Sequence, residues 1–94
     1  MLFKDALGEV LRELRTEQGL KLRVVSHKSK VALGYLSEIE RGHKEVSSEL
    51  LDSICGALGV ATYQVIVEAG YRMNGNWDLS ILADKEQLEM EGSK

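Results

Sequence analysis

Apolar side chains recur at helical spacing in five short segments, which limits the fold of the first seventy residues to helices packed on helices. No proline interrupts these segments, and a glycine follows four of them, where a left-handed residue suits a helix end. We therefore predict an all-α domain over residues 1–70. The predicted helices span about 4–18, 22–29, 33–41, a fourth capped by Ser47 or Ser48, and a fifth from Thr62 to Glu68 or Ala69.

The remaining residues, 71–94, have a different character and form a predicted C-terminal extension. Residues 71–77 are typical of a linker, with Asn74-Gly75 as the turn signal. Residues 78–91 could form a sixth, acidic helix with Leu79, Leu82 and Leu88 available for packing. A single helix of this length needs a partner surface to be stable. Two interpretations stay open: a frayed tail, or an arm that docks on a second subunit.

The composition argues against several classes of protein and site. No run of about 18 apolar residues is present, so we expect no membrane span, and the lone Cys55 cannot form an internal disulfide. We therefore expect a cytoplasmic protein. His27 and His43 lack companions at ligand spacing, and the sequence contains no nucleophile elbow, phosphate loop or zinc-protease motif. We expect no enzymatic activity, no cofactor, no metal and no small-molecule ligand.

The distribution of charge indicates an anionic partner although the net charge is −3. Residues 1–44 carry nine Lys/Arg against six Asp/Glu, whereas residues 45–94 carry three against nine. Within residues 21–44 the balance is six basic to two acidic. Positive charge is therefore concentrated in the middle of the chain, around the second and third predicted helices.

The second and third helices are separated by only three residues, Lys30-Val31-Ala32. With Val31 buried as an anchor, so short a connection forces the helices to cross steeply, and Ser26 and Ser29 supply small side chains at the crossing. The outer face of the third helix then has no core to bury. It exposes Leu33, Gly34, Ser37, Glu38 and Arg41. A helix presented in this way fits the DNA major groove.

The stretch from Gly8 to about Ala69 resembles the xenobiotic-response-element, lambda-repressor-like family of helix-turn-helix proteins. Within that family it is similar to the ClgR-type transcription regulators. The resemblance is carried by Leu11-Arg12-Glu13-Leu14-Arg15, Gly19-Leu20, Tyr35-Leu36-Ser37-Glu38-Ile39-Glu40-Arg41-Gly42, Glu45-Val46-Ser47-Ser48-Glu49-Leu50-Leu51 and Ala57-Leu58-Gly59-Val60.

The resemblance implies a five-helix domain that binds a palindromic operator in double-stranded DNA as a homodimer, with the third helix of each subunit in a major groove. The base-facing residues it implies are Leu33, Gly34, Ser37 and Glu38. The phosphate-contacting residues it implies are Lys21, Arg23, Lys28, Tyr35, Arg41, His43 and Lys44.

Several positions differ from the family pattern. Lys21 and Leu22 replace the usual capping residue and glutamine of the second helix. Lys30 stands where the turn usually has glycine, so a left-handed residue there would cost about 1–2 kcal/mol unless the turn differs. Ala32 stands where Ser or Thr usually caps the third helix.

Two further interpretations follow from the sequence. Glu40 is expected to pair with a basic side chain of the first helix, either Arg12 or Arg15. The acidic C-terminal half also leaves open a rival function on the same fold, a protein-interaction module such as an antitoxin or adaptor.

Overall fold

The computed structural model describes residues 1–74, and these residues fold into five α-helices, which confirms the predicted all-α class. The sixth helix predicted at 78–91 lies outside the described residues. The helices are α1 (Phe3–Glu17), α2 (Leu22–Ser29), α3 (Leu33–Glu40), α4 (Ser48–Leu58) and α5 (Thr62–Asn74).

The helices pack around α1, which contacts both α3 and α5, while α2 packs against α3 and α4. Each helix contributes apolar side chains from one face to a single core. Burial of these side chains supplies the main stabilisation of such a fold. The buried apolar residues are Ala6, Leu7, Val10, Leu11, Val25, Val31, Leu36, Ile39, Leu51, Ile54, Cys55, Leu58, Val65 and Ala69.

Helix α4 is defined by residues at both of its ends. Ser47 is the N-cap, because its hydroxyl accepts a hydrogen bond from the Leu50 N–H at 3.2 Å. Gly59 ends the helix in the left-handed conformation.

Across residues 1–74 no single helix is long and apolar enough to cross a membrane. Only α4 and α5 taken together reach the required length and hydropathy, and the chain bends by 104° between them.

Helix α5 is longer than the sequence pattern predicts. It continues through Gly70 to Asn74, so the end placed at Glu68 or Ala69 is wrong, and the linker predicted from residue 71 is helical over 71–74. Arg72 explains the extension, since its guanidinium forms ion pairs with Glu9 and Glu13 of α1 as well as with Glu68. The hydrogen bonds to Glu13 and Glu68 raise the pKa of Arg72, and the ion pairs with α1 attach the last turn to the body of the domain. The predicted boundary at residue 70 therefore falls inside α5.

Helix α1 approaches the end of α3 very closely at Gly8. A Cβ atom at this position would lie 2.4 Å from the carbonyl oxygen of Ile39 and 2.6 Å from that of Glu40. Both atoms belong to the backbone, which cannot move aside as a flexible side chain can. Only glycine therefore allows α1 to hold the C-terminal end of α3 at this distance.

Gly8→Ala tests this close approach. We expect the free energy of unfolding to fall by about 1–3 kcal/mol, because the added methyl group overlaps backbone atoms. The matched control is Gly56→Ala in α4, where an added Cβ meets no atom within 4 Å. That variant should gain about 0.5–1 kcal/mol in urea unfolding, because alanine favours the helix. Equal gains for both variants would contradict the close approach.

Candidate nucleic-acid interface

The turn between α2 and α3 is organised around the buried Val31, which is 4% exposed, as predicted. The Ser26 hydroxyl donates a hydrogen bond to the Val31 carbonyl at 2.6 Å, and the Ser29 hydroxyl accepts one from the Val31 N–H at 3.3 Å. The two serines therefore satisfy both backbone polar groups of a buried residue, whose desolvation would otherwise be costly. From the sequence, these two serines were expected only to provide small side chains where the helices cross.

Lys30 adopts the left-handed conformation, with φ of 60°. It is the only residue other than glycine with positive φ among those described. Ala32 occupies the N-cap of α3 and supplies no side-chain cap, and Lys21 likewise supplies none to α2. The turn is therefore held by the burial of Val31 and by its two serine hydrogen bonds.

The outer face of α3 and the N-terminal end of α2 form one shallow concave surface. Leu36 and Ile39 are each 1% exposed and attach α3 to the core, whereas Leu33 is 45% exposed. This surface brings three of the predicted base-facing residues together with two of the predicted phosphate-contacting residues. The residues that line this α3 surface are Lys21, Leu22, Arg23, Leu33, Gly34 and Ser37.

The fourth predicted base-facing residue, Glu38, has partners within the protein. One carboxylate oxygen lies 3.2 Å from Nδ1 of His43, and the other lies 3.5 Å from the Arg41 guanidinium. All three side chains are at least partly exposed. Glu38, which is predicted to contact a base, is therefore linked by ion pairs to Arg41 and His43, which are predicted to contact phosphates.

Three other predicted phosphate-contacting residues have different surroundings. Lys44 is exposed and borders an apolar groove at the start of α1. The Tyr35 hydroxyl donates a hydrogen bond to the Glu45 carbonyl at 2.5 Å, which ties α3 to the following loop. Lys28 lies apart from the α3 surface, beside a concavity that it shares with Lys30 and α4.

Glu40 pairs with Arg15, which decides between the two partners left open by the sequence. The guanidinium of Arg15 donates to both carboxylate oxygens, at 2.7 and 2.9 Å, and also to the Leu20 carbonyl at 2.9 Å. The side chains of Arg15 and Glu40 are only 15% and 8% exposed. The hydrogen bond to Glu40 raises the pKa of Arg15. This pair is structural, as predicted.

Arg12 lies next to the α3 surface, and from the sequence it was considered only as a partner for Glu40. Within residues 1–74 it forms no ion pair, and it is exposed beside Ser37 and Arg41 in a cleft between α1 and α3. The signal was present in the sequence, because Arg12 and Arg15 are three residues apart on one helix face. What the sequence could not supply was which arginine reaches Glu40.

No group of three or more His, Cys, Asp or Glu side chains in the described part of the chain could hold a metal ion. The buried Cys55 has a raised pKa, caused first by desolvation, as expected for a thiol in the core. The residues that line the α3 surface offer hydrogen bonding, apolar contact and positive charge.

These features define a helix-turn-helix protein: two short helices joined by a tight turn, with the second exposing its outer face beside basic side chains. The sequence model of the helix-turn-helix family matches residues 11–64. Because this match covers more than half of the sequence, the chain belongs to the helix-turn-helix family.

Known proteins similar to this chain agree with that assignment. The transcriptional regulator ClgR of Mycobacterium tuberculosis is 54% identical over 72 residues, which are 77% of this chain and 64% of that protein. The chain thus spans just under two thirds of that relative. The crystal structure of the clp gene regulator ClgR from Corynebacterium glutamicum superposes with a TM-score of 0.74 and 44% identity, covering 96% of this chain and 89% of that one. These matches confirm the resemblance to ClgR-type regulators.

The fold is also shared with a more distant protein. The restriction-modification controller protein C.Esp1396I, solved as a tetramer with its natural 35 base-pair operator, is 21% identical with a TM-score of 0.66, covering 73% of this chain and 95% of that one.

Replacing Lys30 with glycine tests the strained turn. Lys30→Gly should raise the free energy of unfolding by about 1 kcal/mol, because glycine adopts positive φ without steric cost. The control, Lys28→Gly, removes a similar charge from a helical position and should lose about 1 kcal/mol. A loss of stability in Lys30→Gly, measured by urea unfolding, would contradict the left-handed turn.

Proposed function

We propose that this chain is a sequence-specific DNA-binding transcription regulator that acts in the cytoplasm and places α3 in the major groove of an operator. The exposed face of α3, which adjoins the basic N-terminal end of α2, supports this function. A major groove about 12 Å wide admits one α-helix. Because α3 is attached to the core by its opposite face, it can enter the groove without unfolding.

The side chains on this face can distinguish bases. The Ser37 hydroxyl can donate or accept a hydrogen bond, the Leu33 side chain can contact a thymine methyl group, and the Glu38 carboxylate can accept from a cytosine amino group. Gly34 has no side chain and allows the backbone to come close to the bases.

The surrounding cations would hold α3 in register on the phosphates without reading sequence. Tyr35 would contribute differently, because its hydroxyl hydrogen is already donated to Glu45. Lys28 is the least favoured contact, since it lies outside the α3 surface. The proposed phosphate contacts on or beside the α3 surface are Lys21, Arg23 and Arg41, with Arg12 added from the structure, and Lys44 is a proposed contact in the loop that follows α3.

The similar proteins support this proposal. The Mycobacterium relative is a transcriptional regulator, and the Corynebacterium relative is a regulator of clp genes. The more distant controller protein was solved on operator DNA as a tetramer.

We also propose that the regulator binds a palindromic operator as a homodimer, paired through α5. This helix carries an exposed apolar stripe in which Tyr63, Ile66, Val67 and Tyr71 are 69%, 43%, 65% and 56% exposed. The stripe bears no charged side chain, and Gly70 within it is open to close approach. A second copy would cover it with the same apolar surface, as a two-fold interface requires. Because α5 packs against α1 and α4, this pairing leaves α3 free for DNA.

The same stripe also suits a different protein partner, so an interaction module is the second candidate function. The two functions differ in their response to salt. DNA binding releases counterions and weakens steeply as salt rises, whereas an apolar protein interface does not.

Selection of bound sites from random duplex DNA by the purified chain tests the main proposal. We expect a two-fold symmetric motif to be enriched, and binding to the enriched duplex to weaken steeply with salt. Enrichment of no motif at low ionic strength would overturn the proposal.

Lys44→Ala should weaken binding to all duplexes by a similar factor and flatten the log-salt slope by about 1, because one phosphate contact is lost. The control is Lys28→Ala, whose side chain lines the concavity beside α4 and should leave the slope unchanged. An unaltered slope for Lys44→Ala would remove this residue from the phosphate contacts.

Val67→Glu should dissociate the homodimer, since it places two unpaired carboxylates in an apolar interface. We expect the dimer Kd to rise by at least about a hundredfold in sedimentation equilibrium. Ser53→Glu adds the same charge to an exposed position of α4, beside Lys28 and Lys30 and away from the stripe, and should keep the dimer. An unchanged dimer in Val67→Glu would place the interface elsewhere.

Deleting residues 75–94, which leaves α5 intact, measures how much the C-terminal extension adds to the stability of the homodimer.

A further inference from the structure

The turn that follows α3 brings His43 back over the helix it has just left. Gly42 has φ of 76°, and the His43 N–H donates a hydrogen bond to the Glu38 carbonyl at 2.9 Å. The turn is packed against the start of α1, because a Cβ on Gly42 would lie 2.5 Å from a carboxylate oxygen of Asp5 and 3.1 Å from its Cα. The backbone that carries His43 is therefore fixed from both sides.

The imidazole of His43 consequently meets the side chain of Glu38. Its Nδ1 lies 3.2 Å from one carboxylate oxygen, while the Arg41 guanidinium lies 3.5 Å from the other. The protonated ring donates to this oxygen, and so does the neutral tautomer that carries its hydrogen on Nδ1. One oxygen of Glu38 thus has a hydrogen-bond partner on the protein side and the other has an ion-pair partner, before any base is bound.

Glu38 needs such partners if it is to read a base. A carboxylate entering the major groove approaches DNA phosphates of its own sign, and adjacent cations offset that repulsion. Its side chain also has three rotatable bonds, so an unheld carboxylate would lose conformational entropy on binding one base. A residue that holds the carboxylate beforehand reduces that loss.

We propose that His43 is a positioning residue for Glu38 and thereby determines the base preference at one operator position. The inference rests on the proposed DNA-binding function and differs from the phosphate contact that the family resemblance implies for His43. His43 suits this role better than Arg41, because its contact with Glu38 is shorter and its side chain has fewer rotatable bonds. Arg41 remains available to the phosphates.

The experiment is site selection followed by affinity measurement on single-base variants of the enriched duplex. The proteins compared are wild type, Glu38→Ala, His43→Ala, the double variant, and His43→Asn, whose amide N–H stands near the position of Nδ1. Lys44→Ala serves as the control, because it removes an adjacent positive charge that has no ion pair with Glu38. Thermal unfolding checks that every variant is folded, as expected for exposed or partly exposed positions.

We expect His43→Ala to lose about tenfold in base discrimination at the same operator position that Glu38→Ala affects. The double variant should lose no more than Glu38→Ala alone, and His43→Asn should restore most of the discrimination. Lys44→Ala should leave base preference intact.

Uniform weakening of all duplexes by His43→Ala, with a flatter salt slope and unchanged base preference, would overturn the proposal in favour of a phosphate contact. Glu38→Ala without effect on any operator position would also overturn it, although enrichment of a motif by wild type would still support DNA binding. Failure of wild type to enrich a motif would overturn both.

Discussion

The ion pair between Arg15 and Glu40 fixes the position of the recognition helix on the rest of the domain. It joins α1 to the last residue of α3 through two hydrogen bonds of 2.7 and 2.9 Å in a largely buried setting. Removing either partner of such a pair leaves a buried charge and typically costs about 3–5 kcal/mol. Together with the close approach at Gly8, the pair holds the C-terminal end of α3, so the orientation of its outer face is determined by α1.

The opposite end of α3 is held by less favourable local structure. Lys30 is left-handed and Ala32 provides no side-chain cap, so local preference alone would disfavour this turn. This cost is offset by the burial of Val31 and by its hydrogen bonds with Ser26, which donates, and Ser29, which accepts. Tertiary contacts thus override residue preferences at the point where the helix must cross, and the exposed face of α3 is the consequence.

Helical periodicity was sufficient to predict the helices that build the interface, because burial at Leu36 and Ile39 follows from spacing. It failed at the end of α5, where Gly70 indicates a stop and the ion pairs of Arg72 with α1 extend the helix. Such pairs join residues about sixty positions apart and leave no local signal. The contact between His43 and Glu38 was equally inaccessible, because it depends on how the turn at Gly42 folds back.

An NMR titration of the folded protein with its selected duplex tests directly whether α3 enters the major groove. We predict that the largest amide shifts occur in residues 33–38 and 21–23, at a stoichiometry of two chains per duplex, while amides of the apolar stripe on α5 stay unchanged. Shifts confined to α5, or the absence of shifts in α3 at saturating duplex, would contradict the claim that α3 enters the groove.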